Sequence, residues 1–263
     1  FGRKHPTEPI FFWRALMLCE IAAASHLLLD LPNRYGLQLM WPFRDKWYAW
    51  NIIETVDPWV LAALILGMLL PVLFRLVNEE IGARVERRGP RRGAIVALVL
   101  IAVYASGRYV LRLRAEEMLR SRVYHGATPL SVGAFPSSVW PLTWRGIVET
   151  EDTVEEMDVS LGPASYFDPD RSMTNFKPEP SPMLDVARQT QTAQRFVRFA
   201  RFPIARVIRL REGYKVELHD LRFSNDVIRW AGYVASIELD GDLKVVKEQI
   251  LTVQQAGMRG RGR

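Results

Sequence analysis

Three long apolar runs in the first half of the chain constrain its fold more than any other feature. They cover residues 11–31, 59–77 and 93–113, and each approaches the roughly 20 residues that a helix needs to span a bilayer. From residue 114 onward the composition is that of a soluble protein. The net charge is +6, and much of the excess lies beside the apolar runs. This placement favours an anionic membrane surface over nucleic acid as the partner.

The first two runs carry recognisable helix signals. Residues 11–31 predict a helix that ends at Pro32, with more polar residues than a lipid-facing span tolerates. A polar face turned toward other helices in the membrane accommodates them. The second run opens on Asp57 and Pro58, an N-cap residue followed by a first-turn proline. Pro71 lies inside this run and predicts a kink.

The segments between the runs differ in composition. Residues 33–57 are rich in tryptophan and tyrosine, which fits either a membrane–water boundary or a packed loop. Residues 78–92 are basic and predict the cytoplasmic side of the membrane. Residues 33–57 and the C-terminal part are then expected on the opposite face. The basic residues of this loop are Arg84, Arg87, Arg88, Arg91 and Arg92.

The domain organisation follows from these changes in composition. Residues 1–113 predict an α-helical membrane domain, and residues 114–122 a linker. Residues 123–255 predict a small soluble α+β domain with an antiparallel sheet. Residues 256–263 are rich in glycine and arginine and predict a disordered basic tail.

Inside the predicted soluble domain, turn residues separate short segments in which apolar and polar residues alternate. Residues 140–161 alternate as strands, and hairpins are predicted around Gly213 and Gly241. Residues 168–182 are rich in Pro, Ser, Asp and Asn and predict a long loop. Residues 183–199 predict a helix.

His26 and Asp30 are the principal candidate metal ligands. They lie four residues apart in the first run, and therefore on one face of a helix. Ionisable side chains in such an apolar setting are costly and mark functional positions. An imidazole nitrogen and a carboxylate oxygen suit zinc or a similar divalent ion. A zinc site needs three or four ligands, so the pair predicts half of a site.

Asp57 and Glu54 are the candidate catalytic residues. Capping of the second helix explains Asp57 adequately, and a role as a ligand or a ligand's partner is the alternative. Glu54, placed one helical turn earlier, is a candidate to orient a ligand or to act as a base. His5 is a ligand candidate if the N-terminus folds back. His125 and His219 are expected at the surface or in the core.

Other catalytic signatures are absent from the sequence. It has no Gly-rich phosphate loop, no G-x-S-x-G elbow and no paired C-x-x-C. The single cysteine, Cys19, is expected to be a buried structural thiol. A nucleotide-dependent or serine-hydrolase mechanism therefore has no support.

Further landmarks follow the His/Asp pair in a fixed order. They are Asn33-Arg34-Tyr35-Gly36, Trp41-Pro42-Phe43-Arg44-Asp45, Trp50 and Asp57-Pro58. Together with Ser25-His26 and Asp30 they resemble the YdjM-like family of bacterial inner-membrane proteins, which are described as metal-dependent hydrolases. Residues 198–203 and 220–223 resemble the longer members more loosely.

This resemblance implies a function and a location. The family resembles the α-helical zinc phospholipases C and single-strand nucleases, which makes His26 and Asp30 metal ligands. It implies a multi-pass protein of the inner membrane that hydrolyses a phosphoester, with a lipid phosphoester as a candidate, and with Asp57 or Glu54 orienting the water or a ligand. Family members carry further histidines and aspartates on earlier helices, so the remaining ligands are expected upstream of Phe1.

Two other functions are open from the sequence. In the first, the protein is a non-catalytic membrane scaffold whose His/Asp face packs helices and whose C-terminal domain binds a partner. In the second, His26 and Asp30 form a proton relay in a transporter or channel. The relay would require more polar residues along residues 59–113 than the sequence contains.

Overall fold

The computed structural model describes most of the chain, but not all of it. The described residues are 11–80, 89–137, 140–163, 167, 172–224 and 232–252, with the backbone alone for 74–80 and 89–92. His5, most of the basic loop after the second apolar run and the predicted tail at 256–263 lie outside the described residues.

Three long helices form the N-terminal part: α1 (Phe12–Asp30), α2 (Pro58–Glu80) and α3 (Gly89–Arg120). The three predicted helices are thus confirmed, although α3 is longer than its apolar run. By length and composition α1 and residues 93–120 of α3 are able to cross a membrane, whereas the apolar described part of α2 is shorter, Pro58–Leu73.

Helices α2 and α3 approach each other through small residues. A Cβ atom added to Gly67 would lie 2.5 Å from Cβ of Ala97, and one added to Gly93 would lie 2.4 Å from the carbonyl oxygen of Gly67. Only glycine permits backbones this close, which is a common device between membrane helices. Pro71 of α2 lies at the same contact, against Gly93.

Helix α1 stands apart from this packing. The structure describes every residue of α1, and none of them is buried. The prediction that Cys19 is buried is therefore wrong, because this thiol is exposed on α1. The apolar surface of α1 is left for lipid or for another protein segment.

The C-terminal part contains two four-stranded antiparallel sheets, which confirms the predicted α+β class. The first has the order β1-β2-β3-β4, with β1 (Ser131–Pro136), β2 (Thr143–Glu149), β3 (Thr153–Ser160) and β4 (Met173–Phe176). The second has the order β5-β6-β7-β8, with β5 (Pro203–Leu210), β6 (Gly213–Asp220), β7 (Tyr233–Leu239) and β8 (Val245–Thr252). The hairpins around Gly213 and Gly241 are confirmed as β5–β6 and β7–β8.

Helix α3 runs directly into the first sheet. Residues 114–120, predicted to belong to a linker, form the last two turns of the helix. Ala115 and Leu119 are fully buried and pack with Trp144 and Val148 of β2. The apolar spacing of these residues, four apart, directs one face of α3 onto the sheet.

Strand β4 lies inside the segment 168–182 that was predicted to be a long loop. The sequence did not predict this strand because the segment is polar and its buried residue is Asn175 rather than an aliphatic one. The Asn175 side chain donates a hydrogen bond to Glu156 Oε1 of β3 at 2.9 Å. Strand β4 is therefore held at the sheet edge by polar contacts as well as by its backbone ladder.

The single helix predicted at 183–199 is instead two short helices, α4 (Pro182–Gln189) and α5 (Gln191–Phe199). Thr190 separates them, because its Oγ1 donates to the Ala187 carbonyl and accepts from the Ala193 amide. Such a local side-chain bond competes with helix continuation. Both helices pack on the second sheet.

A third group of buried residues joins the two sheets. Phe135 and Ile147 of the first sheet pack with Ile204 of β5 and with Phe202 and Leu221 beside the second sheet. The two sheets therefore share a core, and α3 connects that core to the apolar helices.

We expect Leu119→Ala to lower the free energy of unfolding of the detergent-solubilised protein by about 2–5 kcal/mol, because it leaves a cavity between α3 and β2. Denaturant titration monitored by tryptophan fluorescence measures this loss. Leu130→Ala is the matched control, since Leu130 is exposed. Equal losses in the two variants would contradict the packing of α3 against the sheet.

Candidate functional site

The predicted metal-ligand pair lies near the C-terminal end of α1. The His26 Nε2 and Asp30 Oδ2 atoms are 3.5 Å apart, and the two side chains are 76% and 36% exposed. Neither side chain has another partner among the described residues. Within the part of the chain that the structure describes, no group of three His, Cys, Asp or Glu side chains is suitably placed for a metal ion.

The loop after α1 folds back onto the end of that helix. The Trp50 amide donates to the Leu31 carbonyl at 2.7 Å, and the Ile52 amide donates to the Pro32 carbonyl at 2.9 Å. Two further backbone hydrogen bonds of 2.8 Å join Leu37 and Tyr48. The loop therefore brings the segment just before α2 next to the end of α1.

Glu54 is engaged by an arginine of the same loop. Arg34 donates from Nε to Glu54 Oε2 at 3.0 Å and from Nη2 to both carboxylate oxygens. The pKa of Arg34 is lowered to about 10, chiefly by burial; Tyr35 opposes the shift, and the charges of Arg145 and Arg222 add to it. Glu54 precedes the first turn of α2, so the predicted helical spacing between Glu54 and Asp57 is wrong.

Asp57 connects α2 to α3. Its Oδ1 accepts from the backbone amides of Trp59 at 2.9 Å and Val60 at 3.2 Å, which confirms the predicted N-cap. Its Oδ2 accepts from the hydroxyl of Tyr104 on α3 at 2.9 Å. Both carboxylate oxygens of Asp57 therefore have structural partners.

Arginines of α3 hold the returning loop. Arg108 is buried, donates from Nε to the Ile52 carbonyl at 2.9 Å and lies over the Trp144 ring at 4.1 Å. Arg112 donates from Nη1 to the Trp50 carbonyl at 2.6 Å. Guanidinium groups suit this task because their donors form a planar fork.

The loop also docks on the C-terminal domain through a reciprocal pair of arginines. Arg34 Nη1 donates to the Arg222 carbonyl at 3.0 Å, and Arg222 Nη1 donates to the Arg34 carbonyl at 2.9 Å. Arg222 is only 1% exposed, and its Nε contacts Asp220 Oδ2 at 2.7 Å. We call Arg34, Glu54, Asp220 and Arg222 the arginine junction.

Aromatic rings surround the arginine junction. The guanidinium of Arg222 lies 4.9 Å from the centre of the Phe199 ring and 5.0 Å from that of Phe223. Tyr35 packs on Phe223 at 4.9 Å, and Trp47 packs edge-on against Phe199 at 5.0 Å. These contacts extend the docking along the loop.

Gly36 explains the Tyr-Gly landmark in physical terms. Its φ is +79°, and an added Cβ would lie 2.8 Å from the Tyr48 carbonyl oxygen. Glycine adopts this conformation without the steric cost that other residues pay.

The loop tip remains outside these contacts. Trp41 and Phe43 are exposed, Phe43 to 91%, and Arg44 beside them is exposed as well. This combination of aromatic and basic side chains is typical of a membrane–water boundary. The two other described histidines occupy the predicted settings, with His125 at the surface and His219 in the core.

Sequence reasoning missed the arginines that assemble this region. Arg34 and Arg222 both stood inside the family landmarks, but nothing in one sequence indicates that the two are paired across the fold. Arg108 carried a stronger signal, because an arginine inside an apolar run requires a buried partner.

The fold and these contacts define a set of apolar helices with a docked α+β domain. Residues 1–115 match the family model described as YdjM inner membrane protein. This match confirms the resemblance found in the sequence, and residues 1–115 are similar to that family. The family and the two candidate spans support a membrane location. No curated protein and no solved structure matches the chain.

Replacement of Arg222 tests the docking of the loop. Arg222→Ala leaves Asp220 buried without its cation, which we expect to cost about 3–5 kcal/mol of unfolding free energy. We also expect faster trypsin cleavage after Arg34, because its backbone carbonyl loses the hydrogen bond from Arg222 Nη1. Arg222→Lys keeps the charge but loses the planar set of donors. Its unfolding free energy and its rate of cleavage should therefore lie between those of Arg222→Ala and wild type. Arg209→Ala is the control, because Arg209 is exposed on β5, and it should have the stability and cleavage rate of wild type. An unchanged cleavage rate in Arg222→Ala would contradict the docking of the loop.

Gly36→Ala tests the loop conformation. The added methyl group meets the Tyr48 carbonyl and the residue must adopt a positive φ, so we expect a loss of more than about 1 kcal/mol. Thermal unfolding in detergent measures the change. Gly241→Ala is the control, because no atom lies within 4 Å of a Cβ added there and its φ is not positive. A Gly36→Ala variant as stable as this control would contradict the described loop.

Proposed function

We propose that this protein is a membrane-bound metal-dependent hydrolase in which His26 and Asp30 are two ligands of a divalent ion, zinc. The observation that carries the proposal is the open His26–Asp30 pair at the end of an apolar helix. A charged side chain in such a helix usually has a strong partner. The only partner of each side chain among the described residues is the other member of the pair.

The geometry of the pair fits a metal centre. Two donors that each lie about 2.1 Å from a tetrahedral ion are about 3.4 Å apart. The Nε2–Oδ2 distance of 3.5 Å is close to this value. One nitrogen and one oxygen donor also suit zinc among the divalent ions. The pair thus fits half of a zinc site, and the other ligands have to come from outside the described residues.

The chemistry of such a site is hydrolysis. A bound zinc ion lowers the pKa of a coordinated water toward neutrality and polarises the bond to be cleaved. His26 and Asp30 would hold such an ion from one face of α1. Glu54 and Asp57 are proposed to orient the water or another ligand. Since Arg34 and Tyr104 occupy their carboxylates, such a role requires one of these contacts to be exchanged.

The proposed substrate is a phosphoester, and a lipid phosphoester in particular. The candidate pair lies near the end of an apolar helix that is long enough to cross a membrane. The exposed Trp41, Phe43 and Arg44 suit the layer where lipid phosphates lie. This substrate class rests on superfamily resemblance together with the location of the pair.

A non-catalytic scaffold is the second candidate function. The observation that favours it is the complete structural use of Glu54 and Asp57, which bind Arg34, the first turn of α2 and Tyr104. In this alternative the loop serves to dock the C-terminal domain on the membrane helices. The His/Asp face of α1 then packs against another helix.

Metal analysis distinguishes the two functions. We expect the complete native protein, purified in mild detergent without chelator, to carry stoichiometric zinc. His26→Ala and Asp30→Ala should each lower the metal content strongly, because each removes a ligand. Elemental analysis by mass spectrometry gives the ratio of metal to protein, and phosphodiester hydrolysis by the same samples gives the activity.

Glu20→Ala is the matched control, since Glu20 is an exposed acidic residue of the same helix. It should keep the wild-type metal content. Wild-type protein without stoichiometric metal, or both ligand variants retaining it, would leave the scaffold as the function.

A further inference from the structure

A polar cavity lies between α3, β1 and the loop before α2. Its volume is about 320 Å³. Arg112, Glu116 and Arg120 of α3 line one side, and Asn51 and Arg201 line the others. The cavity is distinct from the His26–Asp30 pair, which contributes no atom to its wall.

The charges around this cavity are unbalanced. Three arginines line it, and the only acidic residue in its lining is Glu116. Glu116 is already bound by Arg112, whose Nη2 lies 2.9 Å from Oε1. The side chain of Arg201 makes one long hydrogen bond, 3.5 Å from Nη2 to the Ala49 carbonyl.

Arg201 is in an electrostatically unfavourable position. Burial lowers the pKa of its guanidinium, and the positive charges of Arg222 and Arg112 lower it further. Asp220 and Glu116 offset this effect only in part. A bound anion would supply the missing negative charge, because guanidinium groups bind phosphate through paired hydrogen bonds.

Asn51 provides an independent indication of a ligand. This residue is 3% exposed and lines the cavity, yet its side-chain Oδ1 has no hydrogen-bond partner. Its backbone has a positive φ of 50°, which asparagine tolerates better than most residues. A buried polar atom without a partner is costly and calls for a specific explanation. A hydroxyl donor on a ligand would supply the missing hydrogen bond.

The cavity lies at the C-terminal end of α3. Arg112 follows Tyr104 by eight residues, or about 12 Å along the helix axis, and Arg120 lies about 12 Å further. The walls beside the arginines include Phe135 and Phe202, whose rings pack edge to face at 6.0 Å. An open polar cleft with an aromatic wall has room for a small organic phosphate.

We propose that this cavity binds a phosphate ester that also carries a hydroxyl group. Arg112, Arg120 and Arg201 bind the phosphate, and Asn51 accepts a hydrogen bond from the hydroxyl. The ligand is either a soluble ester or the headgroup of a phospholipid with the same chemistry. This binding requires no metal and no hydrolysis, so its test is independent of the test of the proposed function.

Calorimetry on the complete protein in a neutral detergent tests the soluble source, with glycerol 3-phosphate as the probe and glycerol as the uncharged comparison. Nanodiscs of phosphatidylcholine, with and without phosphatidylglycerol, test the lipid source through thermal stabilisation. We expect Arg201→Gln and Arg120→Gln each to weaken binding about tenfold or more, since a charge-assisted hydrogen bond contributes about that factor. Arg209→Gln removes an equal charge from exposed β5 and should leave binding unchanged.

Asn51→Asp provides a second test that does not depend on loss of function. It places a carboxylate in the cavity, so we expect higher thermal stability without ligand and no further gain when the ester is added. The site is supported if glycerol 3-phosphate or phosphatidylglycerol binds to or stabilises the wild-type protein, and if this effect is lost in Arg201→Gln and kept in Arg209→Gln. Absence of binding from both sources, or equal weakening by all three arginine variants, overturns it.

Discussion

The reciprocal contact between Arg34 and Arg222 is the interaction on which the arrangement of this molecule depends. Each guanidinium binds the backbone carbonyl of the other residue, and each is neutralised by its own carboxylate, Glu54 or Asp220. A buried cation without such a partner would be strongly destabilising. All four groups must therefore be in place together, which fixes the loop between α1 and α2 against the C-terminal domain.

This constraint gives structural roles to residues that the sequence indicated as candidates for catalysis. Glu54 neutralises Arg34, and Asp57 both caps α2 and binds Tyr104 of α3. His26 and Asp30 differ from them, because these two side chains are exposed on α1 and bind only each other among the described residues. A partly buried carboxylate whose two oxygens are both hydrogen-bonded is explained by the fold, whereas an open pair of donors in an apolar helix is not.

Much of the fold was predicted from the periodicity of apolar residues, and the errors in that prediction have physical causes. The apolar runs predicted three helices, and the glycine-containing turns predicted two hairpins. The sequence did not predict β4 because Asn175 takes the buried position that an apolar side chain usually fills. The continuation of α3 to Arg120 was missed because charged residues at 114–117 interrupt the apolar run, although Ala115 and Leu119 keep a buried face. The arginine junction lay beyond prediction, since its two arginines are separated by 188 positions and pair only after folding.

Helix α3 has a mechanical consequence. It contains 32 residues and is therefore about 48 Å long, well over the roughly 30 Å of a bilayer's hydrocarbon core. Its far end is buried in the first sheet at Leu119, and after Pro90 no proline interrupts it. The apolar part of α3 is thus long enough for a bilayer, while its far end is fixed in the first sheet. In a membrane, a change in bilayer thickness that tilts the apolar part would also displace the sheet.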